Sequence, residues 1–425
     1  MPDHHQSTIP APRRHPSKGA RFGGQSSVQG DQGDASAAPL GSDKDFVGRS
    51  GDGPSQYQLQ RYAATLTNHK GLSSCFWLMA FGALGVDVRG VPSGDGFDKT
   101  RLGGLAVCGS HLCPVCGPRV ANQRTDEIRA VLDHAGLSPD IWPVMVTLTV
   151  AHKNGDKLAG LSQGIKSALR RWKQHRRYKA ARPQIVGTVA AFEATHGRNG
   201  WHPHHHVILL VRGPSLRSAM RVIASLRDAW TVSLEAEGLS CGRAGFKATR
   251  ADKAMRYLAK WDAASEAGQS HKKEGKQGGR SPAQLLRDAY AGDRRAAALW
   301  SEWAAAMKGR SLLRFSPGLR AWAGLSSVSD EQAAEPKPED AERLIERIDG
   351  GHWEAAKAGG LSRDRLKAEG RKGRDAVRAY VADCVARVAK TVPRRSDRQE
   401  SGKTGDSPTR KGGRRRSPTG GGTPP

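Results

Sequence analysis

Long apolar runs are missing from this chain of 425 residues. No segment approaches the roughly twenty consecutive apolar residues that cross a bilayer, which excludes a transmembrane helix. The N-terminus has no apolar core followed by a small-residue cleavage site, so no secretory signal is expected and the protein is placed in the cytoplasm, with no membrane partner. Cysteine is scarce as well. There are six, and four have a spacing that suits a metal better than a disulfide framework, which fits a reducing compartment. No internal repeat is found, which argues against a solenoid or propeller.

Acidic residues are outnumbered, 41 against 68 lysines and arginines, leaving a formal charge of +27. A soluble protein this basic implies an anionic polymer as partner, and nucleic acid is the obvious one. The composition also shifts along the chain. Residues 1–56 are rich in Gly, Ser, Asp and Pro, and residues 393–425 are mostly Arg, Lys, Gly, Ser, Thr and Pro. Neither stretch can bury enough apolar surface to offset the entropy of ordering, so both are expected to be disordered tails.

Between the tails, residues 57–119 form a short Gly-rich module with cysteines and few helical cues. Residues 120–263 carry alternating strand and helix signals. A helix is expected over Val120–Ala135, a buried strand over Val144–Val150, a basic helix over Lys157–Ala181 and a strand over Ile185–Thr195. His196–Gly200 reads as a hairpin turn from its Gly and Asn content. A helix capped by Ser215, a strand over Gly245–Thr249 and a helix over Ala251–Asp262 follow. This order predicts an α+β domain, an antiparallel sheet with helices on one side. Residues 264–328 read as a helical extension and 329–392 as a charged helical arm.

The cysteines come as Cys108-Gly-Ser-His-Leu-Cys113-Pro-Val-Cys116, with Cys75 upstream. Thiolates in a Cys-x2-Cys turn close a tetrahedral zinc site when further ligands arrive from elsewhere. Cys75 is the first choice for the fourth ligand, with His111 and His69 as alternatives. A structural Zn2+ there would stand in for the core that a small Gly-rich module lacks.

The clearest chemical signal is Trp201-His-Pro-His-His-His206, continued by Val207-Ile-Leu-Leu210. The apolar, β-branched tail favours a strand, and on a strand His202, His204 and His206 point one way and His205 the other. Two imidazoles held on one face can close on a cation but leave its shell incomplete. Glu193, on the strand before the turn, would arrive beside His204 and His206 by antiparallel pairing. A carboxylate there suits Mg2+ or Mn2+. His202 is the competing third ligand.

Taken together, Thr147-Leu148-Thr149, the histidine strand and Tyr257-x-x-Lys260 resemble, in that order, the three motifs of the HUH endonuclease superfamily, specifically its rolling-circle plasmid replication initiators. The cysteine module, Gly279-Arg280-Ser281-Pro282, Leu299-Trp300-x-Glu302-Trp303 and Ser316-Pro-Gly-Leu319-Arg320 resemble the actinobacterial plasmid members. The likeness runs from about Cys75 to Leu325. It implies an HUH-type sheet and site-specific nicking and closing of plasmid origin DNA, single-stranded or in a hairpin, with host helicase and polymerase as partners.

In that chemistry Tyr257 attacks the phosphodiester and stays joined to the 5′ phosphate, which conserves the bond for rejoining. Lys260, at i+3 on the same helix face, neutralises phosphate charge or lowers the phenol pKa. Many relatives carry a glutamate just before the tyrosine. Here Lys253 and Ala254 stand there, and Asp252, Asp262 and Glu266 are the nearest substitutes. Lys166, Arg170, Arg171, Lys173, Arg176 and Arg177, on the basic helix, are the expected phosphate contacts. A single-strand transposase, a relaxase and a non-enzymatic zinc-containing regulator are the competing readings.

Overall fold

Thirteen residues before the turn at Arg198-Asn199 and thirteen after it build the two longest strands, β4 (Ile185–Gly197) and β5 (Gly200–Arg212). Gly197 pairs with Gly200 across the turn. Gly200 has φ +84°, and a Cβ there would lie 3.0 Å from the Lys153 carbonyl oxygen, so only glycine closes this hairpin without strain. A computed structural model describes this fold for residues 53–250, 279–336 and 341–391. Both expected tails, except for a few residues at the inner end of the first, lie outside those residues, as does the expected helix over 251–262.

The hairpin sits inside a five-stranded sheet with β3 (Ile141–Thr149), β6 (Phe246–Arg250) and β7 (Leu313–Phe315), in the order β6-β3-β5-β4-β7. Every pairing is antiparallel. The fold is α+β, as the order of elements predicted. Alternation splits the strand residues between two faces. Val144, Val146, Leu148, Val207, Leu209 and Val211 bury one face under α4 (Leu158–Gln174), α6 (Leu216–Ala224) and α7 (Arg227–Glu235). On the other face, Ile141, Met145, Val189, Ile208 and Leu210 pack under α3 (Cys116–Gly136) and the short turn of helix at Leu319–Trp322. That cover lies at the Ile141 end; His202, His204 and His206 stand on the same face at the opposite end.

Three helical stretches are broken. The basic helix stops at His175, whose ψ of 144° is extended and whose Nδ1 accepts from the Arg177 amide, so that a second helix, α5 (Arg176–Ala181), starts anew. The helix after Ser215 divides at Leu226, whose carbonyl accepts from the Trp172 indole. Between α8 (Pro282–Tyr290) and α9 (Arg294–Met307), Gly292 takes φ +108° and Asp293 caps the next segment.

The N-terminal module is richer than its sequence suggested. Helices α1 (Gln56–Thr65) and α2 (Lys70–Ser74) precede a hairpin of β1 (Gly85–Ser93) and β2 (Gly96–Gly103). The expected helical arm is not separate from it. Residues 343–349 form a strand, β8, that pairs with β1, giving a second sheet in the order β2-β1-β8. The register shifts between Val88 and Arg89, so the buried residues of β8 are Ile345 and Ile348, three apart, a spacing that imitates a helix. Helices α10 (Gly350–Ala358), α11 (Arg363–Lys372) and α12 (Arg374–Thr391) then close over the sheet.

Arg363 ties the two ends of the chain together. Almost fully buried, it donates to the carbonyls of Cys75 and Phe76 and lies over the rings of Tyr57 and Trp77. Val86, Val88, Leu102, Trp353 and Leu366 share the core, each stabilising the fold by about 1.5–3 kcal/mol relative to exposure. Removing residues 341–391 should therefore open the cysteine module. Ellman titration under native conditions should find the cluster thiols reactive in the shortened chain and protected in the full one. Equal protection in both would show that β8 is dispensable.

Candidate active site

The hairpin register puts Glu193 opposite His204, and β3 puts Thr149 opposite His204 and Thr147 opposite His206. All five share the face that α3 leaves at the histidine end. One ligand atom from each of Glu193, His204 and His206 lies within 4.8 Å of the others. Glu193 Oε2 is 3.2 Å from His204 Nε2 and 3.5 Å from His206 Nε2. Ligands at right angles around a cation with bonds of about 2.1 Å stand about 3.0 Å apart, so this donor set fits a small divalent ion. The two imidazoles are largely buried and Glu193 is about one-third exposed.

His206 is oriented by a partner that residue typing alone did not supply. Thr147 Oγ1 lies 3.1 Å from its Nδ1, leaving Nε2 turned to Glu193. Such contacts fix the ring and tautomer of a metal-binding histidine. The first threonine of Thr147-Leu148-Thr149 thus has a physical role that only the register reveals. Lys247 is placed opposite Thr147 on β6 and is exposed on the same face.

His202 is on the face but outside the three-residue group. Its ring packs against His152, 4.9 Å between centroids, and His204, 5.2 Å away. Burial, with the neighbouring imidazoles adding to it, holds His202 down to about 4. His205 turns to the helical face and packs on Phe192. Tyr257 and Lys260 lie outside the described residues, as do Asp252, Asp262 and Glu266. Strand β6 ends at Arg250, and the backbone of Arg280 exchanges two hydrogen bonds with His196 at the hairpin tip.

The second group is sulfur-rich. Cys75, Cys108, Cys113 and Cys116 converge, with Sγ separations of 3.3 Å (Cys75–Cys116), 3.7 Å (Cys75–Cys113) and 3.8 Å (Cys108–Cys116). Zinc–sulfur bonds of about 2.3 Å at tetrahedral angles place sulfurs about 3.8 Å apart, so four thiolates fit here. Hydrogen bonds from Cys108, Cys113 and Cys75 hold the Cys116 thiol far below its ordinary range. His69 and His111 are not in the group. His111 is buried against Trp303 instead, and burial lowers it to about 4.

The basic stretch forms α4 and α5. It covers the helical face of the sheet, so its charges do not share the metal-group face. Lys166, Arg170 and Arg176 are exposed there. Arg171 pairs with Glu237, and Arg177 with Asp228 at 2.7 Å. Lys173 turns inward, donates to Thr188 Oγ1 at 3.2 Å and is held below its usual range by burial. It is not a surface phosphate contact.

The remaining motifs have structural work. Ser281 caps α8, with Pro282 opening it. Glu302 accepts from the Leu158 amide and so fixes the start of α4. Ser316 exchanges bonds with Thr188, and Arg320 donates to Glu127.

An antiparallel sheet that presents two imidazoles and a carboxylate in register, with a four-thiol group upstream, is the frame that the replication-initiator motifs implied. Comparison with known proteins agrees. Residues 99–225, which include the carboxylate–histidine group and three of the four clustered cysteines, match the family model described as Replication protein. The chain is 29% identical over 177 residues to Protein rep of Streptomyces lividans, covering 31% of this chain and 39% of that protein. It is 30% identical over 154 residues to a Neomycin resistance protein of Streptomyces cyanogenus, 28% of this chain and 34% of that one. Protein rep of Lentilactobacillus hilgardii matches at 29% over 116 residues, 27% and 36% of the two chains. The chain thus spans less than two-fifths of the length of these relatives. No solved structure matches it.

His205 supplies a test of the strand geometry. Its folded value of about 4 lies below the ordinary 6.5, because burial favours the neutral ring. The stability it contributes is intact above about pH 6.5 and lost as the pH falls towards 4. His205→Leu should flatten that decline in urea titrations at pH 7, 5.5 and 4.5. An unchanged pH slope would mean that His205 is solvated.

Proposed function

We propose that this chain is a plasmid rolling-circle replication initiator that nicks and rejoins one DNA strand through a covalent 5′-phosphotyrosine. The observation that carries the reading is the register-held Glu193–His204–His206 group inside the stretch similar to replication proteins. Glu193, His204 and His206 would hold a divalent cation, Mg2+ or Mn2+ by their oxygen and imidazole donors, and it would supply polarisation of the scissile phosphate.

The chain's own residues do the rest. Tyr257 Oη attacks phosphorus and loses its proton; the bond to the 3′ oxygen breaks, and that oxygen leaves as a hydroxyl. The reverse attack by a 3′ hydroxyl rejoins the strand and frees the phenol. Thr147 holds His206 in its ligating orientation, and Lys260 and Lys247 offset phosphate charge. The four cysteines would hold a structural Zn2+, which would tie Cys75 to the Cys108–Cys116 turn. Lys166, Arg170 and Arg176 bind flanking phosphates on the far side of the sheet. The origin of a plasmid is the substrate, host helicase and polymerase extend the freed 3′ end, and the setting is the cytoplasm. Among the described residues, no helix is long and apolar enough to cross a membrane.

On supercoiled plasmid carrying the origin, Tyr257→Phe should abolish nicking and covalent attachment while leaving DNA binding nearly intact. His204→Ala and His206→Ala should each lower nicking at least 100-fold, and His205→Leu should leave it within a few-fold. Full activity in the Tyr257 variant, or equal losses in all three histidine variants, would overturn the assignment. Metal analysis of purified protein should find about one zinc per chain, lost on joint Cys113→Ser and Cys116→Ser substitution.

A further inference from the structure

One groove belongs to neither metal group. It holds about 410 Å3, and its walls include Arg124, Leu313, Arg314, Phe315, Arg320 and Asp330. That is room for one nucleotide, at the small end of ligand pockets.

The groove's arginines are set rigidly. The Arg320 guanidinium lies 4.0 Å over the Phe315 ring and is clamped by Glu127 Oε2 at 2.8 Å. Glu127, 3% exposed, also takes Arg124 at 2.5 Å. Arg124 reaches on to the Val328 carbonyl at 2.8 Å and Asp330 at 2.6 Å. Glu127 and Asp330 are thereby neutralised by Arg124 and Arg320. Arg314, between Leu313 and Phe315, pairs with Ala190, which shares the helical face with Val207, so its side chain turns away from Phe315 and Arg320. Along the same wall runs β7, the last strand of the sheet, with backbone groups on its outer edge.

The groove's position decides its ligand. Leu313 pairs with Ala191, and Ala191 with His206, so the groove opens two strand spacings, about 10 Å, from a metal ligand and on the same face. A guanidinium plane backed by an aromatic ring is a stacking surface for a nucleobase. We propose that this groove holds one base of the strand being cut, one or two nucleotides from the scissile phosphate, stacked against Arg320. The assignment rests on the nicking reading above.

The test uses the full chain and origin-strand oligonucleotides. The nicked bond is mapped first, and then a single abasic site is moved through the three positions on each side of it. At one position next to the nick, the wild type should bind about 5- to 100-fold more weakly. Arg320→Lys keeps the charge against Glu127 but not the plane, and it should bind the intact strand as weakly as the wild type binds that abasic one. A photoreactive 5-iododeoxyuridine at the sensitive position should crosslink the wild type within residues 311–320. Normal nicking with a flat abasic profile, or crosslinks confined to other segments, overturns the groove assignment alone. A wild type that cuts no strand overturns the nicking reading, and the base site falls with it.

Discussion

The pairing register of one hairpin governs the chemistry of this protein. Side chains alternate along a strand, so a slip of a single residue in β5 against β4 would send His204 and His206 into the helical core and lift His205 onto the metal-group face. Gly200 prevents that slip by closing the turn in a conformation closed to other residues. The burial pattern reinforces it, since Val207, Leu209 and Val211 are needed under the helices. Glu193 meets the imidazoles because the turn is short, with nothing further required to bring them together.

The sheet also separates two tasks that the sequence presents side by side. The basic helix and the histidine strand are near neighbours in the chain, yet they lie on opposite faces of the sheet. Lys166, Arg170 and Arg176 therefore present their charge to a different side of the sheet from Glu193. Among the described residues, Lys247 on β6 puts a positive charge on the metal-group face, opposite Thr147.

Signals that are local in the chain were legible in its sequence. The histidine strand, its turn and Glu193 all fall within fifteen residues, where alternation is enough to place them. The cysteines were legible through their side-chain chemistry, even Cys75 far upstream. What could not be read depended on distant partners. Lys173 looks like one more charge on a basic stripe, and only Thr188 across the core turns it inward. The division of the helix at Leu226 depends on an indole more than fifty residues earlier. Strand β8 hid its periodicity behind a register shift against a partner at the other end of the fold.

That last pairing has a consequence for synthesis of the chain. The contact between Arg363 and the Cys75 carbonyl spans 288 residues of sequence. At translation rates of about 5–20 residues per second, Cys75 is made roughly 15 to 60 s before Arg363. For that interval β1 offers an open edge and the thiols lack part of their packing. A nascent chain in this state can pair edge to edge with another made on the same message. Metal capture by the cysteines during this window would give the module an early nucleus, so supply of the ion would act on folding yield before it acts on any finished molecule.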